Sequence, residues 1–188
     1  MASPEGGPRL AIRTARPEDA ASLREIFNDA VIDGMATFDY EARSIEEQRY
    51  RIINAEQDPK HPLLVAEVRN WVAGWAAIEE YDSRLTLDDI GEVFIFVRRQ
   101  FRSYGVGRQL MRAVQDEAPR LGYRKLIGRV LADNRDSLRL CQATGWREVG
   151  RHRAHARHRD SLRDVVLVEY LVPDPAAAQE DSPSPHGG

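Results

Sequence analysis

Leu23, Ile26, Phe27, Ala30 and Val31 recur at the spacing of one face of an α-helix, and the stretch opens on Pro17, Glu18 and Asp19, residues suited to a helix's first turn. Gly34 ends that helix. Before it, Leu10–Thr14 alternates as a first strand. Ser44 with Glu47 reads as a capping box for a second, shorter helix reaching about Asn54. Pro62–Val68 and Trp71–Ile78 are strand-type runs, and the two residues between them, Arg69 and Asn70, predict a hairpin. Tyr81–Asp89 is a polar, acidic loop. The apolar strand Val93–Val97 then passes through an arginine-rich loop into a helical pattern that starts at Val106 and continues through Leu110, Met111 and Val114. Lys125–Leu131 is the next strand. Asp136–Thr144 is a short helix with Leu138 and Cys141 on one side and Gly145 past its end. Trp146–Arg151 and Val165–Val172 are two last strands flanking an Arg/His-rich stretch. The order predicts a mixed α/β (α+β) layered domain over residues 9–172, with helices on both faces of its sheet. Residues 1–8 and 173–188, poor in apolar side chains and rich in Gly, Pro, Ala or Ser, read as disordered tails.

Composition narrows this picture in three ways. A length of 188 residues with 42% hydrophobic content suits one sizeable core. The 27 basic and 30 acidic residues nearly cancel to a net charge of −3, so whole-molecule attraction to nucleic acid or an anionic membrane is not indicated. No apolar run approaches the roughly 20 residues of a membrane span, and the lone Cys141 cannot form an internal disulfide. A soluble, cytoplasmic protein is the expectation.

The candidate chemistry centres on Arg102-Ser103-Tyr104-Gly105-Val106-Gly107. Glycines between a strand and a helix start let successive backbone N–H groups converge where the helix dipole is positive, which favours an anion. Arg102, with Arg98, Arg99 and Arg108 nearby, can add charge-assisted hydrogen bonds to phosphate oxygens. A nucleotide P-loop is excluded because Gly107 is followed by Arg108-Gln109 instead of Lys-Ser/Thr, and a dinucleotide fingerprint because only two spaced glycines are present.

That R-x-x-G-x-G string resembles the pyrophosphate loop of the GNAT superfamily of acetyl-CoA-dependent N-acetyltransferases, and the predicted element order is also the order of that fold. Phe27-Asn28-Asp29-Ala30-Val31 with Ala36-Thr37-Phe38 looks like the first helix and loop of the phosphinothricin N-acetyltransferase-like branch. Gly91-Glu92-Val93-Phe94-Ile95-Phe96-Val97 is similar to its central strand, and Asp133-Asn134 with Ser137, Leu138, Gly145 and Trp146 to its late strand–helix signature. The resemblance implies a mostly antiparallel sheet whose fourth strand splays from the fifth. It also implies that the main chain of Ile95, Phe96 and Val97 pairs with the pantetheine arm of acetyl-CoA, with Asn134 bonding the arm or orienting the opening. Arg102 to Gly107, Ser103, Tyr104 and Val106 included, would hold the pyrophosphate. Glu92 matches a glutamate proposed as general base, and Cys141 stands where a tyrosine or histidine could protonate the leaving thiolate; a small residue on the inner side of a helix equally suits packing. Phe38 and Arg84 are the acceptor-binding candidates, Arg84 as a substitute for the family's arginine and not at its matching place. Leu87-Asp88-Asp89 stands near the place of a frequent Tyr-Arg, which turns the expectation from phosphinothricin or methionine sulfoximine to another amino acid or small primary amine. Homodimers are frequent in the branch.

Three rival readings stand beside this one. His152, His155 and His158 recur every third residue, but the surrounding Arg151, Arg153, Arg157 and Arg159 repel a metal ion, so no metal is expected. The same arginines lack interleaved aromatics, which disfavours nucleic acid. The remaining alternative is a GNAT-fold module that binds acyl-CoA with little or no turnover.

Overall fold

The computed structural model describes residues 10–158 and 161–173. Strand β1 (Leu10–Thr14) leads through a single turn at Pro17–Asp19 into α1 (Ala20–Asp33), followed by α2 (Ile45–Gln57), whose Ser44 and Glu47 form the reciprocal cap expected of them. Strands β2 (Leu63–Val68), β3 (Trp71–Glu80) and β4 (Ile90–Val97) form an antiparallel meander. Arg69 and Asn70 both take positive φ, which matches the turn to the right-handed twist of the strands it joins. Helix α3 (Val106–Glu117), β5 (Lys125–Leu131), α4 (Arg135–Ala143), β6 (Arg147–His158) and β7 (Ser161–Leu171) complete the chain.

The seven strands lie in the order β1-β2-β3-β4-β5-β7-β6, with β4 and β5 parallel and the other neighbours antiparallel. Alternate residues of the inner strands feed two cores. Leu63 and Val65 of β2 join Leu23, Ile26, Phe27 and Ile52 beneath α1 and α2, while Leu64, Ala66 and Val68 join Leu110, Val114 and Cys141 beneath α3 and α4. Burial on both faces explains why β2 and β3 read as nearly unbroken apolar runs.

One element differs in kind from the sequence reading. The Arg/His-rich stretch expected to connect the last two strands is itself strand, so β6 and β7 make one long ribbon. Most of residues 151–157 are exposed, so no inward face imposes the period-2 apolar signal by which a strand is recognised. The tail readings at 1–8 and beyond Pro173 fall outside the described residues.

Candidate active site

The parallel pairing of β4 with β5 is brief: Ile90, Gly91 and Glu92 face Lys125, Leu126 and Ile127, and the register stops there. From Val93 onward β4 keeps its ladder with β3 alone, so the main-chain groups of the Ile95–Val97 stretch that turn toward β5 have no strand to meet. Side chains of this stretch divide by face. Val93, Ile95 and Val97 pack toward α3, whereas Phe94 and Phe96 point toward α1.

The loop after β4 closes one end of the opening. Gly105, at φ 81°, is the N-cap of α3, and a Cβ there would meet nothing within 4 Å, so backbone conformation and free space together favour glycine. Gly107 is small for another reason: a Cβ would stand 3.2 Å from Leu140, where α4 approaches. The first-turn N–H groups of α3 have no intrahelical partner and face the loop. Arg99 and Arg102 both bind Asp33 at the end of α1, at 2.6 and 2.9 Å, and Arg102 Nε also donates to the Val97 carbonyl at 3.3 Å. Two guanidinium groups on one carboxylate leave a surplus positive charge at the mouth of the loop. Arg98, expected beside them, is instead buried: its Nε donates to the Val72 carbonyl and its head binds Glu25 at 2.8 Å.

On the α1 side of the opening lies a pocket of about 500 Å³. Its floor is aromatic. The Phe96 ring lies 4.5 Å from that of Trp75 and meets Phe27 edge-on at 5.4 Å. Arg43 stacks over Phe27 at 3.8 Å and binds Asp39, while Arg51 stacks over Trp75 and binds Glu79. Asn28 fixes the Arg43 backbone from both sides, accepting from its N–H at 2.8 Å and donating to its carbonyl at 3.1 Å. Burial, and then the charge of Arg51, push the Arg43 guanidinium below the ordinary arginine range. Phe38 lines this pocket, as do Arg129, His155 and Arg157. A larger groove of about 810 Å³, between β1 and the end of α3, contains no comparable constellation.

Other candidates have unexpected partners. Glu92 is 4% exposed, and both its oxygens accept from Arg129, each at 2.6 Å. Arg129 is missing from the sequence reading, although the pairing of Glu92 with Ile127 puts it two residues further along β5, on the same face as that partner. Asn134 caps α4 by accepting from Ser137 N–H, and donates to the Met35 carbonyl at 2.7 Å. Arg163, which also escaped notice, donates to the Gly34 carbonyl at 2.5 Å and binds Asp133. Together these two hold the loop after α1 against the β5–α4 turn. Cys141 lies in the core under α3, where burial pushes its thiol up to about 11. Arg84 binds Asp82 on the outer loop and is not part of the pocket lining. The rings of His152 and His155 stack at 4.5 Å, and among the described residues no group of His, Cys, Asp and Glu is arranged to hold a metal ion. No helix among them is long and apolar enough to cross a membrane.

A sheet opened between its fourth and fifth strands, with a glycine-capped helix start beside arginines on one face and an aromatic pocket on the other, defines an acyltransferase-type architecture. The sequence profile of the acetyltransferase (GNAT) domain matches residues 12–166, and the chain belongs to the GNAT acetyltransferase family. It is 30% identical over 142 residues to YwnH of Bacillus subtilis, covering 75% of this chain and 86% of that one. It is 28% identical over 137 residues to the L-amino acid N-acyltransferase MnaT of Escherichia coli, with 73% and 79% covered. Among solved structures, the GNAT superfamily phosphinothricin acetyltransferase from Sinorhizobium meliloti in complex with AcCoA superposes with a TM-score of 0.83 at 22% identity, over 94% of each chain.

Proposed function

We propose that this protein transfers the acetyl group of acetyl-CoA to the primary amine of a small acceptor, an L-amino acid or an analogue of one. The observation that carries this reading is the opening after Glu92, with the glycine-capped start of α3 on one face and a pocket of about 500 Å³ on the other. The donor's phosphates fit the first-turn N–H groups of α3, with Arg102 and Ser103 to Gly107 around them, and its amide-bearing arm fits the free main chain of Ile95, Phe96 and Val97. Asn134 serves by holding the rim of the opening at Met35. When bound, acetyl-CoA supplies an activated thioester carbonyl.

The acceptor's amine nitrogen attacks that carbonyl. A C–N bond forms, the C–S bond breaks, and catalysis is mainly positioning together with the handling of two protons. Phe38, Phe96 and Trp75 shape the acceptor cavity, and Arg43 and Arg51 give it a positive wall suited to a carboxylate. Glu92 enters as the partner that aims Arg129. Transfer from Cys141, a thiol held protonated up to about 11, to a thiolate of ordinary basicity runs uphill, so the leaving group takes its proton from the new amide nitrogen or from water. Arg84 has no part in the acceptor contacts. The enzyme works in the cytoplasm, where acetyl-CoA is available and a lone cysteine stays reduced, and as a homodimer that sedimentation velocity can test. Its partner is a small amine rather than nucleic acid or a membrane.

The test is thiol release from acetyl-CoA in the presence of each of the twenty L-amino acids, methionine sulfone, phosphinothricin and spermidine. Release with at least one amino acid is expected. Binding of acetyl-CoA without release for any amine would favour the non-catalytic module, and an unmoved melting temperature in saturating acetyl-CoA would remove the donor site itself.

A further inference from the structure

We propose that His155 is the base that takes the proton from the acceptor's ammonium group, a role that rests on the acetyl-transfer reading above. Four observations converge on it. The first is a disruption of the β6–β7 ladder: His152 pairs with Val165 and Ala156 with Arg163, so β6 carries two extra residues at this point. Irregularities of this kind redirect side chains next to active sites. The second is a strained residue within it. Ala154 stands at φ 48°, in the left-handed region that costs a non-glycine residue about 1 kcal/mol. The conformation is held by the Asp164 carboxylate, which accepts from the Ala154 N–H at 2.9 Å.

The third is the consequence of that bend. His155 and Arg157 line the acceptor pocket with Phe96, Arg129 and Val165, and the His152 ring, stacked on His155 at 4.5 Å and 22°, fixes the plane of the imidazole. The fourth is elimination. Asp39, which binds Arg43, and Glu79, which binds Arg51, also line the pocket. Behind Arg129, Glu92 has both oxygens occupied. Arg43, Arg51, Arg129 and Arg157 are cations with no lone pair to offer, and Tyr40 is a phenol. Among the described residues the His155 ring makes no side-chain hydrogen bond and touches only the His152 ring.

The step balances simply. The neutral imidazole takes one proton from R–NH3+, and the resulting amine forms the C–N bond as the C–S bond breaks. The second nitrogen proton passes to the departing thiolate, and the imidazolium returns its proton to solvent. Asp164 acts through the bend and is a positioning residue.

The experiment is a pH profile of kcat/KM with the panel amine that turns over fastest. Wild-type protein is expected to lose activity toward acid pH, where an imidazole base is protonated. His155→Ala is expected to be slower by about a hundredfold, to lack that limb, and to regain rate when free imidazole is added; Glu92→Gln is expected to keep the limb. Asp164→Ala should lower kcat more than it raises KM, with Asp164→Asn, which retains an accepting oxygen, close to wild type. A second readout needs no turnover: the His155 ring signals in a 1H–13C spectrum should shift when the same amine is added without acetyl-CoA. If wild type turns over but His155→Ala keeps the acid limb, or imidazole does not rescue it, the role of His155 alone is overturned. A wild-type protein that acetylates none of the amines overturns the acetyl-transfer reading, and His155 with it.

Discussion

A carboxylate bound on both oxygens by one guanidinium, as Glu92 is by Arg129, has its best lone pairs occupied, and removing the arginine would leave a nearly buried charge without a partner. The same carboxylate would look free in any reading that sees only its strand. Cys141 is the converse case, a reactive side-chain type in a position that asks for volume. Its thiol is 6% exposed, among the apolar residues under α3 and α4. Cys141→Ala should therefore cost about 1 kcal/mol of unfolding free energy in a urea titration, through the small cavity it leaves, while kcat stays within about threefold of wild type. A loss of kcat near a hundredfold with unchanged acetyl-CoA affinity would instead make the thiol a proton donor.

Among the elements, the turn from β4 to α3 shows most clearly how local chemistry serves the site. Gly105 supplies a left-handed N-cap in open space, and Gly107 lets α4 come close enough for Leu140 to pack on the first turn of α3. Gly105→Val forces a β-branched residue to positive φ. It should lower stability by about 1–2 kcal/mol and weaken acetyl-CoA binding, measured by calorimetry, by more than the same substitution weakens amine binding. Equal weakening of both ligands would mean that the loop acts only through overall stability. The β4–β5 boundary makes a second point. Two parallel strands in register for only three residues would ordinarily be a poor pairing, yet under the proposed function the split is where the donor's arm lies. Asn134 and Arg163 offset the missing ladder by tying the loop after α1 to the far side of the opening.

For the whole molecule, charge is distributed in local pairs that matter more than the net −3. Glu169, on β7 between two neighbouring strands, is held below the usual carboxylate range by the hydrogen bond from Lys125, with Arg147 adding to it. A carboxylate depressed in the folded state contributes stability that is fully present above its unfolded range and is lost as pH falls through its folded one. Unfolding free energy should therefore decline as pH drops below about 4. Glu169→Gln should lower stability at neutral pH and flatten that acid decline, both read from urea titrations across the pH range. An unchanged slope would assign the acid sensitivity to other carboxylates, such as Asp19 beside Arg13.

The hydrophobic pattern by itself determined most of the architecture, because period and turn chemistry are local. Helix faces at Leu23 to Val31 and at Val106 to Val114, the Ser44–Glu47 cap, the Arg69-Asn70 hairpin and the glycine loop at Gly105 all follow from neighbours within a few residues. Only the tertiary structure decided which charges meet. Glu92 and Arg129 are 37 residues apart, Arg163 and the Gly34 carbonyl 129, and no local pattern encodes such pairs. The strand character of the Arg/His-rich stretch and the bend that sets His155 at the pocket wall were hidden likewise, since an exposed ribbon carries no apolar period and its register is set by the strand it faces.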